Sequence, residues 1–257
     1  MLQVPKSAIV ARPLFAESRK QAVDFGPCID CGVREMAVCA ALAPDELQRL
    51  AAITTDFTVG PGKEIISEGD EAGALFNVTG GVVKLYKLLP DGRRQITGFL
   101  YPGDFIGLAV NDRYGYTAEA VDQVRLCRFP RAAIERLLHE LPHMRERLFT
   151  MASNELAAAQ DQMLLLGRKT AHERIASLLL LLQTGAKRRG QPTNPIHLPM
   201  TRGDIADFLG LTTETVSRTI SVMKRAGEIV LRDTDMIEVL DPAGLNGVAG
   251  DEERIGP

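Results

Sequence analysis

Four cysteines and one short polar run carry the chemistry legible in this sequence. Cys28, Cys31 and Cys39 form a Cys-x2-Cys-x7-Cys group, and Cys127 is the fourth and last cysteine of the 257 residues. Three clustered thiols, with another brought over by the fold, suit a [4Fe–4S] cluster held by four thiolates. Structural zinc is the competing use, although zinc usually sits between two paired knuckles and only one Cys-x2-Cys pair is present. Buried, unliganded thiols are the third reading, and crowding three of them near the chain start argues against it. Lys6, Arg12, Glu17 and Arg19 interrupt any apolar run at the N-terminus, so no signal peptide is expected. A cytoplasmic location follows, and there a disulfide framework is disfavoured.

The polar run is Glu214, Ser217 and Arg218, spaced i, i+3 and i+4 near the start of an expected helix. An arginine fork fits guanine O6 and N7, and a glutamate accepts from cytosine N4. The plainer use of Glu214 and Arg218 is an intrahelical ion pair, worth a few tenths of a kcal/mol. The flanking sequence favours base reading. Thr201 can cap a short helix that turns Ile205, Phe208 and Leu209 inward. Small Ala206 permits close helix contact, and Gly210 can take positive φ in a sharp turn. Thr212 then caps a second helix with Val216, Ile220 and Met223 inward, and Gly227 stops it. This is a helix-turn-helix, whose second helix enters the DNA major groove with its N-terminal residues foremost. Thr201, Thr212, Thr213, Glu214, Ser217 and Arg218 are the expected DNA contacts. Ile229–Leu231 and Met236–Val239, joined through Asp233-Thr-Asp235, fit a β-wing. Between Arg168 and Arg232 eleven Lys/Arg stand against five Asp/Glu, in a chain of net charge −3. That asymmetry points to a polyanion partner for the C-terminal part.

Stepping upstream, Pro142 to Leu166 predicts one long helix. Leu148, Ala152, Leu156, Ala159, Met163 and Leu166 recur at steps of four and three, forming an apolar stripe. A stripe containing two alanines permits close approach of an identical helix, so these six residues are the expected homodimer interface. Gly167 is expected to end the helix, and Thr170-Ala-His-Glu173 is a capping box that starts the next. From about Thr54 to Phe129 short apolar runs alternate with turn sequences such as Gly60-Pro-Gly62, Gly80-Gly81 and Pro90-Asp-Gly92. Many short strands at regular spacing predict a β-sandwich or jelly roll. Pro44-Asp-Glu-Leu47 opens a short helix before them, with Leu47, Leu50 and Ala51 on its apolar side.

The stretch from Pro44 to Arg131, with Pro102-Gly-Asp-Phe-Ile-Gly107, resembles the double-stranded β-roll of cyclic-nucleotide-binding regulators. That family takes the ribose with a Gly-Glu-Leu turn and the phosphate with an Arg-Ser/Thr-Ala sequence. Here the two places read Ile106-Gly-Leu-Ala109 and Gly115-Tyr-Thr-Ala118, without the glutamate and with Tyr116 in place of the arginine. Losing a charge-assisted phosphate contact argues against a cyclic nucleotide ligand. Glu214-x-x-Ser217-Arg218 resembles the recognition helix of the FNR branch of the CRP/FNR superfamily. By that resemblance Glu214 and Arg218 read a G·C pair and Ser217 a neighbouring thymine, in half-sites like TTGAT…ATCAA. The cysteines resemble those of the FNR oxygen sensors, whose best-known members have five residues rather than seven before the third. The resemblance, from Cys28 to Val239, implies that Cys28, Cys31, Cys39 and Cys127 hold the cluster. It also implies a homodimer that binds DNA without oxygen, and that oxygen converts the cluster, weakens the dimer and releases DNA. Gln95-Ile-Thr-Gly98 resembles the β-roll loop that touches RNA polymerase.

The expected fold is α+β. Residues 1–43 are a leader and cysteine segment, 44–141 a β-roll, 142–167 a dimerisation helix and 168–257 a winged helix-turn-helix. No apolar run is long enough to span a bilayer, the longest being Met36 to Ala43. His139, His143, His172 and His197 are scattered, none inside the β-roll, which disfavours a haem sensor. No nucleophile-base pair or phosphate loop supports an enzyme. A zinc- or thiol-based regulator responding to redox or nitric oxide shares the same fold. A β-roll ligand-binding module without cluster or DNA is the reading of a different class.

Overall fold

The computed structural model describes Cys28 and residues 31–109 and 112–250. Of the leader and cysteine segment expected over residues 1–43, residues 1–27, 29 and 30 lie outside them. A 3-10 turn, Val38–Ala41, follows Cys28 and Cys31 and carries Cys39. Helix α1 (Pro44–Ala51) then starts on Pro44, whose missing N–H costs nothing there, and buries Leu47, Leu50 and Ala51.

Eight strands follow: β1 (Thr55–Val59), β2 (Glu64–Ile66), β3 (Ala74–Gly80), β4 (Val83–Leu88), β5 (Arg94–Leu100), β6 (Phe105–Ile106), β7 (Thr117–Ala120) and β8 (Val124–Pro130). They form two four-stranded antiparallel sheets, ordered β1-β8-β3-β6 and β2-β7-β4-β5. Phe76, Val78, Val83, Leu85, Ile106, Ala118 and Leu126 fill the space between the sheets. Gly81 shows why the turn before β4 needs glycine: its φ is +78°, and a Cβ there would sit 2.4 Å from the Gln123 carbonyl.

The outer face of each sheet is also covered. Over the first lie α1, α2 (Arg131–Glu140) and the start of α3 (Pro142–Arg168), burying Leu75, Phe105, Cys127, Phe129, Ile134, Leu137 and Met144. Over the second lies the C-terminal unit. It comprises α4 (Ala171–Arg188), β9 (Ile196–His197), α5 (Arg202–Leu209), α6 (Thr213–Arg225), β10 (Ile229–Leu231), β11 (Met236–Val239) and α7 (Pro242–Ala249). Its core of Ile175, Leu179, Ile205, Leu209, Val216, Ile220 and Met223 runs without a break into Tyr86 and Ile96 of the roll. The wing pairs Ile229 with Val239, as expected, and gains β9 as a third strand.

Two local expectations are corrected. Gly167 does not end the long helix: α3 continues through Arg168, and the chain breaks at Lys169 in extended conformation, φ −87° and ψ 144°. No left-handed residue is needed there. Gln95-Ile-Thr-Gly98 is not a loop but the interior of β5, and the Gln95 amide donates to the Asp207 carbonyl of α5 at 2.7 Å.

Candidate functional site

Cys127 reaches the cysteine segment because β8 alternates. Leu126 points between the sheets, while Cys127 and Phe129 join the outer layer with Val38 and Leu50. Cys28 packs on Leu47 and Ala51 of α1, with Cys39 at the edge of the same cluster. Antiparallel pairing sets Asp56 of β1 opposite Cys127, and the thiol donates to Asp56 Oδ1 at 3.3 Å. Burial pushes the Cys39 thiol up to about 11, and the neighbouring thiols of Cys31 and Cys28 add to it. Burial likewise raises Cys28 and Cys127, and both feel Cys31 and Asp56. The four thiols are thus electrostatic neighbours, and a metal would have to displace their protons.

Among the described residues no three His, Cys, Asp or Glu are gathered tightly enough to hold a single metal ion. Four cysteine thiols are the soft donors that either a structural zinc or an iron–sulfur group takes. A hollow of about 400 Å³ opens beside Cys39, lined also by Arg34, Glu35, Ala40, Leu42 and Leu47.

The cysteine segment is tied to the long helix. Arg147 of α3 donates to the Met36 carbonyl at 3.0 Å, and His143 pairs with Glu46 of α1 at 2.9 Å. Arg49 of α1 also pairs with Glu140 of α2. Beyond these contacts α3 leaves its own domain. Of the stripe, Leu148 and Leu166 tuck into the chain's own cores at either end. Between them Leu156 and Met163 are 62% and 71% exposed, and Ala159 is exposed as well. Ala152 is half-buried, and Phe149, 74% exposed, extends the stripe in place of Leu148. Heptad counting back from Ala152 would have found it, since three residues rather than four precede that step.

The reader's geometry follows from its caps. The Thr201 hydroxyl accepts the Asp204 N–H at 3.0 Å and donates to Asp204 Oδ2 at 2.7 Å. Gly210 takes φ 61° and ψ 41° at the turn, and Thr212 caps α6 by accepting the Thr215 N–H at 3.1 Å. The hydroxyls of Thr201 and Thr212 are therefore engaged within the protein. Thr213, Glu214, Ser217 and Arg218 are exposed at the start of α6. Among the described residues no ion pair joins Glu214 to Arg218, so both are free to meet a ligand. In the roll, the Tyr116 hydroxyl accepts the Gly107 N–H at 3.1 Å, so the tyrosine that replaces the phosphate-binding arginine is itself bonded.

One residue that sequence reasoning missed bridges the break between α3 and α4. The Arg174 guanidinium donates to the carbonyls of Leu166, Lys169 and Leu209 at 2.7–2.9 Å, and to that of Gly210 at 3.3 Å. Gln162 of α3 adds a bond to the Phe208 carbonyl at 2.7 Å.

Comparison with known proteins places this arrangement. The profile of the Crp-like helix-turn-helix domain matches residues 173–248, and that of the cyclic nucleotide-binding domain matches residues 57–140. The transcriptional activatory protein AadR of Rhodopseudomonas palustris is 42% identical over 219 residues, 85% of this chain and 91% of that protein. The transcriptional activator protein FnrL of Cereibacter sphaeroides is 39% identical, over 88% of this chain and 92% of that one. Among solved structures, FixK2 from Bradyrhizobium japonicum superposes with a TM-score of 0.71 at 37% identity, covering 76% of this chain and 97% of that one. With a β-roll, a long helix and a winged helix-turn-helix in that order, the chain belongs to the Crp/Fnr family of transcription regulators.

Proposed function

We propose that this regulator binds FNR-type palindromic DNA, with TTGAT-like half-sites, as a homodimer under the control of an oxygen-labile [4Fe–4S] cluster. The observation that carries the reading is the gathering of all four cysteines against the segment that Arg147 ties to α3. Cys28, Cys31, Cys39 and Cys127 would hold the cluster, which when bound supplies an oxygen-sensitive group to this segment. The chain's own residues do the rest. Arg147 and His143 carry the cysteine segment on α3. Phe149, Ala152, Leu156, Ala159 and Met163 meet the same residues of a second copy, because a heptad stripe on one helix is self-complementary. Thr213, Glu214, Ser217 and Arg218 meet base edges. Dimerisation makes two half-site contacts act together, so loosening the pairing lowers operator affinity steeply.

The activator names of AadR and FnrL support RNA polymerase as a further partner and transcription activation as the outcome. No helix of the described residues is long and apolar enough to cross a membrane, in keeping with a cytoplasmic regulator. Tyr116 and the missing glutamate argue for a roll that has given up cyclic nucleotide. Protein purified without oxygen should be brown and carry about four irons and four sulfides per chain. Colourless protein with stoichiometric zinc would overturn the cluster and leave the zinc-based regulator in its place.

A further inference from the structure

The roll and the reader meet through a buried ionic node rather than through apolar contact alone. Lys84 points outward from β4, its side chain 9% exposed, and its Nζ lies 2.8 Å from Asp204 and 3.0 Å from Glu119. Arg94 of β5 lies 2.9 Å from the same Asp204 oxygen and 2.8 Å from Asp207. The other Asp204 oxygen takes the backbone N–H and the hydroxyl of Thr201 at 3.1 and 2.7 Å. Asp204, with its side chain only 4% exposed, thus has four donors and no spare lone pair. It caps α5 and joins that helix to the roll with one carboxylate.

Such a node selects geometry. Apolar surfaces such as Phe99 on Phe208, ring centres 5.2 Å apart, tolerate sliding. A buried carboxylate shared by a lysine and an arginine does not, since a small shift leaves a desolvated charge without its partner. The node also leaves the reading face clear, because Glu214, Ser217 and Arg218 remain exposed while α5 is docked. Gln162 and Arg174 hold α5 to the end of α3. The reader is therefore fixed at once to the roll and to the helix bearing the exposed stripe.

We propose that Lys84 and Arg94, which lie on the roll and not on the reading face of α6, are positioning residues that set which spacing of two half-sites the protein accepts. The proposal rests on the palindromic dimer reading above. With the reader pinned relative to the α3 stripe, the distance between the two recognition helices is set before DNA arrives. Without the node each reader tilts on its apolar contact, single half-sites bind as before, and the preference for one spacing fades.

The test uses full-length protein, handled without oxygen, as wild type, Lys84→Met, Lys84→Arg and Arg94→Met. Binding is measured by fluorescence anisotropy on duplexes carrying one TTGAT half-site, or two with the gap varied one base pair at a time. Wild type should prefer one gap sharply. Lys84→Met should lose about tenfold on that gap while keeping its single-site affinity, which flattens the spacing profile. Lys84→Arg, which keeps the charge, should restore the profile. Arg94→Met, at the more exposed edge of the node, should flatten it in the same sense and decides the matter if Lys84→Met fails to fold. Unchanged profiles in the Met variants, or equal loss on every duplex, would overturn the positioning role. A wild type with no preference for paired half-sites would instead overturn the palindromic reading and the positioning role with it.

Discussion

Arg218 stands exposed on the second turn of α6 with Glu214 one turn before it, and neither spends its charge on the other. On the proposed reading this unpaired arginine is the one that contacts guanine. Arg218→Ala should cost about 1–3 kcal/mol on the cognate site and relax preference at one base pair, as a titration against single-base operator variants would show. A uniform loss across all variants would reassign the side chain to phosphate. Residue types made the two chemical groups readable in the sequence: thiols at short spacing, and a Glu-x-x-Ser-Arg run after a glycine turn. What stayed hidden was whatever depends on distant pairing. Asp56 stands beside Cys127 only because β1 and β8 pair in that register. Lys84 looks in sequence like any strand lysine until α5 arrives over it.

Among the elements, α3 was the most legible, since an apolar period from Leu148 to Leu166 outweighs local exceptions. Its ends were less so. The break at Lys169 uses an ordinary extended conformation, which leaves no glycine signature to find. Short β6 and β7, two and four residues long, are too brief to show an alternation of their own. The apolar stripe makes a sharp prediction. Ala159→Asp would set like charges against each other across a two-fold axis, where desolvation makes them costly. Sedimentation at matched concentration should find that variant monomeric with its metal content unchanged, and operator binding lost. A dimer of unaltered affinity would show that this face is not the interface.

At the scale of the whole molecule, roll and reader share one continuous core and one ionic node, a unity that the sequence, divided into segments, does not display. The node gives the fold an acid-sensitive point. Burial pushes Asp204 up, but the bonds from Lys84 and Thr201 and the Lys84 charge outweigh it and hold the carboxyl below its usual range. Its contribution is complete above the ordinary aspartate value near 4 and is lost as pH falls through the depressed value. Below about pH 4, the melting temperature of wild type should therefore fall more steeply with acid than that of Asp204→Asn. Parallel curves would remove the node from the stability of the fold. Arg174 carries a different consequence. A swivel at Lys169 would strand the carbonyls it serves at the ends of α3 and α5 together. On the dimer reading proposed above, the signal then passes through the meeting of copies rather than through a turn of the reader within one chain. On that reading abundance becomes part of the response: a cell that doubles synthesis of this protein shifts its threshold without altering a single bond within it.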